Sequence, residues 1–119
     1  MGPEAQLERK VRQAVTAAGG LCLKLTALPG IPDRLLILPE YEIRTGQSMG
    51  KTEVLTETLR LITRPRFIFV EMKAQGGRVS TIQKARIAQL RALGADVRVV
   101  RGPEETEELI AAIKGGDIT

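Results

Sequence analysis

The run Arg66 to Lys73, reading R-F-I-F-V-E-M-K, decides the fold. It concentrates β-branched and aromatic residues and is the most strand-like stretch of the chain. Period-two alternation puts Phe67, Phe69, Glu71 and Lys73 on one face and Ile68, Val70 and Met72 on the other. Apolar residues on both faces predict a central strand covered on each side. Near the C-terminal end of one face the pattern breaks, leaving an acid and a base about 7 Å apart. Burying charge is costly, so Glu71 and Lys73 do not end a core strand for packing reasons. That break is where chemistry is expected.

Upstream lies Pro29-Gly30-Ile31-Pro32-Asp33-Arg34, followed by the apolar run Leu35-Leu36-Ile37-Leu38. The prolines bracket a turn, and Pro32 favours extended entry into a strand that begins at Asp33. Sequential strands commonly pair. Antiparallel pairing with 66–73 sets Asp33 beside Glu71 and Lys73. Two neighbouring carboxylates repel unless one is protonated or a cation lies between them. The chain has no histidine, which excludes His-based general-base catalysis, Ser-His triads and His-ligated metals. A divalent metal held by oxygen ligands is the economical answer.

The remaining elements fall around this pair. Residues 3–18 carry Leu7, Val11, Ala14, Val15 and Ala18 at helical spacing, and Gly19-Gly20 stops them. Glu8 lies beside that stripe on the side of Glu4, where an i,i+4 pairing with Arg12 is also open to it. Leu21–Leu25 reads as a short strand, with Lys24 turned to solvent or to the site. The 27-residue connection 39–65 is long enough to carry structure of its own. Val54, Leu55, Leu59 and Ile62 fit a helix there while T-E-V-L-T-E-T-L also reads as strand, and a hairpin-like extension followed by a helix is expected. Gly46 to Thr52 approaches a phosphate-binding loop but has three residues between its glycines where four are required, so a flexible loop is expected. After Gly76-Gly77, S-T-I-Q opens a helix ending at Gly94. Gln83, Ile87 and Leu90 lie on its inward face, and Ser80 with Gln83 forms a capping-box pattern. Asp96–Arg101 reads as a strand, joined to 66–73 by a parallel crossover. Pro103 opens a last helix, with Leu109, Ile110 and Ile113 inward.

Composition bounds the partners. The 119 residues suit one domain with one modest core. No run is long enough to span a membrane and the polar N-terminus lacks a signal-peptide core, so a cytoplasmic, non-secreted protein is expected. Cys22, the single cysteine, excludes an intrachain disulfide and is expected to be buried. Five acids and one base fall within residues 104–119, which leaves 17 bases against 9 acids in residues 1–103. A basic body suits a polyanion. With Tyr41, Phe67 and Phe69 as the only aromatics, single-strand binding by base stacking is disfavoured.

Glu8, G-I-P-D at 30–33, E-M-K at 71–73 and Gln83, in this order, resemble the P-D…E-x-K nuclease superfamily. Within it the chain is similar to the virus-type replication–repair nuclease (VRR-NUC) domain in a stand-alone form, except at 41–65. The resemblance implies a restriction-endonuclease-like α/β fold over residues 1–119: a mixed central sheet flanked by helices, in the order α-β-β-insert-β-α-β-α. It implies that Asp33 and Glu71 ligate Mg²⁺ or Mn²⁺ with the Met72 carbonyl, and that Glu8 completes the cluster. Lys73 would orient the attacking water and stabilise developing charge, and Gln83 would support the site. Lys24, Arg34, Arg78, Ser80, Lys84 and Arg91 are the expected DNA contacts. The activity implied is a Mg²⁺-dependent DNA endonuclease, a homodimer nicking branched DNA such as four-way (Holliday) junctions, with no nucleotide cofactor. Cutting of ordinary duplex, or DNA binding without catalysis, are the alternatives.

Overall fold

The computed structural model describes residues 2–49 and 54–115, with 41–49 and 54–63 described by backbone alone. The order is α1 (Pro3–Ala17), β1 (Leu21–Lys24), β2 (Arg34–Met49), β3 (Val54–Lys73), α2 (Thr81–Ala92), β4 (Asp96–Arg101) and α3 (Gly102–Gly115). The sheet is mixed, in spatial order β1-β2-β3-β4. β1 pairs antiparallel with β2, β2 antiparallel with β3, and β3 parallel with β4. The expected α/β architecture holds, and the register Arg34↔Val70 brings the start of β2 to the end of β3.

The alternation in β3 explains the core. Ile68, Val70 and Met72 are buried with Leu36 and Leu38 of β2 and Val100 of β4. Leu7, Val11, Ala14 and Val15 of α1 and Leu109, Ile110 and Ile113 of α3 join the same cluster, so these two helices cover one face. Burying each such side chain stabilises the fold by about 1.5–3 kcal/mol. Cys22 packs partly buried against this cluster, and burial pushes its thiol pKa up.

The second face is covered only in part, against the expectation of full cover. Ile87 of α2 and Val97 of β4 are buried there. Phe67 is 51% exposed and Leu21 54%. The 12-residue α2 packs towards β4, leaving Leu21 of β1 and Phe67 of β3 uncovered.

Residues 39–65 also depart from expectation, because no helix follows the hairpin. Both strands run on as a two-stranded ribbon from Pro39↔Pro65 to Met49↔Val54, with an irregularity in register at Glu40/Tyr41. Threonine and β-branched residues favour strand, and residues 41–49 offer that segment a hydrogen-bonding partner along its length. The helical spacing of Val54, Leu55, Leu59 and Ile62 competes with the strand preference of T-E-V-L-T-E-T-L, and pairing decides for strand. Of the expected flexible loop, Gly46–Met49 is strand, and residues 50–52 lie outside the described residues.

Candidate active site

The turn before β2 is built to hold one carboxylate. Gly30 has φ +78°, and a Cβ there would meet the Ile82 carbonyl oxygen at 2.7 Å and Arg86 Cγ at 3.0 Å. Glycine alone accepts both the backbone angle and the approach to α2. Arg86 Nε donates to the Pro29 carbonyl at 3.1 Å, tying the turn to that helix. Pro32 is buried, and the Leu25 N–H donates to the Asp33 carbonyl at 2.9 Å. Asp33 is thereby fixed at the sheet's end.

Across from it, the Met72 N–H donates to Asp33 Oδ1 at 3.3 Å. The Asp33 N–H in turn bonds the Glu71 carboxylate. Glu71 is only 3% exposed, and its Oε2 lies 3.4 Å from Lys73 Nζ. The Met72 side chain points into the core. Antiparallel pairing therefore sets Asp33, Glu71 and Lys73 together as the sequence led one to expect.

The carboxylates are not electrostatically relaxed. Asp33 is pushed up to about 6, first by burial and then by the neighbouring Glu71 charge, with Glu8 adding to it. The Met72 N–H and Arg34 act in the opposite direction. Burial also raises Glu71, countered mainly by the charge and hydrogen bond of Lys73.

α1 brings a second set of acids to the same end. Carboxylate oxygens of Glu4, Glu8 and Asp33 all lie within 4.8 Å of one another. Glu8 does not pair with Arg12; its Oε2 accepts from Arg34 at 2.9 Å, both side chains being largely buried. Glu4 was not singled out from sequence. Its signal is the four-residue spacing from Glu8, which stacks the two on one side of a helix.

The other expected residues divide into engaged and free. Gln83 is held in the capping box: its Oε1 accepts from the Ser80 N–H at 2.9 Å, and Ser80 Oγ accepts from the Gln83 N–H at 3.2 Å. Arg34, expected on DNA, is turned to Glu8. Arg91 donates to the Val97 carbonyl at 2.8 Å. Lys24, Arg78 and Lys84 are exposed and have no acidic partner among the described residues.

A family model described as the VRR-NUC domain matches residues 10–104. That range holds Asp33, Glu71, Lys73 and Gln83, whereas Glu4 and Glu8 precede it. A solved structure described as a VRR_NUC domain is similar in fold, with a TM-score of 0.65 at 22% identity over 93% of this chain and 97% of that one. No curated protein matches the sequence.

Proposed function

The chain belongs to the VRR-NUC domain family, nucleases of the PD-(D/E)XK type, and from that premise we propose a metal-dependent DNA endonuclease that nicks branched DNA as a homodimer. The observation that carries it is the convergence of Glu4, Glu8 and Asp33 within 4.8 Å, beside the Glu71–Lys73 pair. The donor set fits a hard divalent cation, Mg²⁺ with Mn²⁺ as substitute, because such ions take carboxylate, carbonyl and water oxygens. The raised Asp33 pKa is in keeping with the fit, since burial first and the Glu71 charge second disfavour a bare carboxylate there.

Asp33, Glu8 and Glu4, whose carboxylates converge, would hold the ion, with Glu71 and the Met72 carbonyl beside them as further oxygen ligands. A bound cation supplies charge neutralisation at the phosphate and an acidified water. The protein's own groups do the positioning. The Met72 N–H fixes Asp33 Oδ1, and Arg34 fixes Glu8 Oε2. Lys73 places a positive charge where the phosphate becomes more anionic as the bond to the attacking water forms. Gln83 secures the first turn of α2 beside the site through its cap.

The dimer is supported by the half-exposed Phe67 and Leu21 with Leu23, an apolar surface on the sheet face that α1 and α3 leave bare. Two-fold pairing would present two sites to a symmetric four-way junction, giving paired nicks. Incubation with labelled duplex, flap and four-way junction DNA in Mg²⁺, Mn²⁺ or EDTA tests the proposal. Junction cutting that requires metal is expected. Equal cutting of plain duplex would remove the branched-substrate assignment, and no cutting with either metal would remove the enzyme.

A further inference from the structure

β4 is an edge strand, and the two grooves along it differ in charge. On the α2 side a cavity of about 270 Å³ is lined by Val79, Lys84, Ile87, Arg91, Val99 and Arg101. Three of these are cations and none is an acid. On the α3 side a cavity of about 340 Å³ is lined by Glu105 and Glu108 together with Arg98 and Arg91, which borders both grooves. Its Arg98 is neutralised by Asp96, Nε to Oδ1 at 3.1 Å.

The cations of the α2 groove are held in place without being neutralised. Arg91 donates to the Val97 carbonyl at 2.8 Å, and Arg101 Nε to the Gly77 carbonyl at 3.1 Å. A carbonyl fixes a guanidinium while leaving its full charge and most of its five donors available. Arg78, exposed and next to Gly77 in the chain, adds a further charge at that end. Among the described residues, none of Arg78, Lys84, Arg91 and Arg101 forms an ion pair with an acid.

The groove also starts at the site. Arg101 is the register partner of Lys73. In a parallel pair the two share a face, about 4.8 Å apart between strands. We infer that the groove between α2 and β4 is the track for the DNA phosphate backbone running away from the Asp33–Glu71–Lys73 centre, with Arg101 as its first contact. In the α3 groove Glu105 and Glu108 offset the arginines, so it attracts the same backbone less and one edge strand favours the side on which DNA lies. This track rests on the nuclease reading for its substrate, but it is tested by binding alone.

Binding of a short fluorescein-labelled duplex is measured by anisotropy in EDTA, between about 50 and 200 mM salt. For Lys84→Gln with Arg101→Gln, the slope of log affinity against log salt is expected to fall by about 2, since each phosphate contact contributes about 0.9. Arg101→Lys with Lys84→Arg is expected to keep the slope. Glu105→Gln with Glu108→Gln, in the other groove, is expected to leave it unchanged. Thermal melts confirm that each variant is folded. An unchanged slope in the first pair overturns the track, as does an equal loss in the acidic-groove pair. Wild-type hydrolysis of a small activated phosphodiester with Mn²⁺ is read in parallel. Its absence counts against the nuclease and leaves the binding result to decide the track.

Discussion

Asp33→Asn should make the metal-free protein more stable at neutral pH. Asn keeps an Oδ1 acceptor for the Met72 N–H and removes the charge that burial, Glu71 and Glu8 disfavour. The sign follows from proton linkage. The Asp33 pKa is about 6 when folded and 3.8 ordinarily, so the native state binds more protons across that interval. Below about pH 4 the carboxyl is neutral in both states and carries no penalty. As pH rises through the window stability is lost, and above about pH 6 the loss is complete.

A shift of about two units corresponds to roughly 3 kcal/mol as an upper limit. Asp33 is partly exposed, and solvent screening reduces this to about 1–2 kcal/mol. For a domain of this size that is a rise in Tm of about 5–10 °C. Thermal melts of wild type and Asp33→Asn in EDTA at pH 4 and pH 7.5 measure it. The gain should be present at pH 7.5 and absent at pH 4. Adding Mn²⁺ should stabilise the wild type by about 2.7 kcal/mol at a hundredfold excess over Kd, raising its Tm, and leave the variant behind. A variant no more stable than wild type at pH 7.5 without metal would refute the account of charge crowding. A gain of equal size at pH 4 would refute its electrostatic origin.

The other expectations are more local. Lys73→Ala should slow DNA cleavage by about 10²–10³-fold, the scale for losing one charge-stabilising donor, with duplex affinity in EDTA little changed; cleavage at the wild-type rate would displace Lys73 from the chemistry. Gly30→Ala should cost about 1–3 kcal/mol from backbone strain and collision with the Ile82 carbonyl, read as a lower denaturant midpoint. Arg34→Ala strands a largely buried Glu8 carboxylate and should destabilise the metal-free fold by about 1–3 kcal/mol, and Glu8→Gln in the same chain should recover part of it. Ser80→Ala should cost about 1 kcal/mol as a lost N-cap. If Gln83 acts only through that cap, Gln83→Glu, which preserves the capping box, should cut DNA normally.

What was legible follows from how local each signal is. The strand at 66–73, the turn G-I-P-D and the capping box at Ser80–Gln83 are each written in adjacent residues, and β2–β3 pairing needed only chain order. That was enough to set Asp33 beside Glu71 and Lys73. Within 39–65 the helix expected after the hairpin is absent because the helical spacing of Val54, Leu55, Leu59 and Ile62 competes with the strand preference of T-E-V-L-T-E-T-L, and the partner strand that decides between them is not visible in the window being read. Arg34 departs from the expected DNA contact for a related reason: the Glu8 that takes it comes from α1, 26 residues away in the chain.

Alternation along β3 and β4 explains how so small a domain separates its charges. At the start of β2, Asp33 and Arg34 both reach Glu8 of α1, and at the end of β3, Glu71 and Lys73 share a face with Phe67 and Phe69. β4 continues the row with Arg101 beside Lys73. Acids therefore gather between β2, β3 and the first turns of α1, while cations begin at Lys73 and extend outward over the α2 side of β4. A metal ion and a polyanion need opposite fields only a few ångströms apart. Three neighbouring strand ends supply both without a buried unpaired side chain among the described residues. A one-residue slip of β2 against β3 would put Arg34 where Asp33 stands and remove the centre. The bond from the Met72 N–H to Asp33 and the pinned turn at Gly30 hold that register, so Gly30→Ala should lower Mn²⁺ affinity as well as stability.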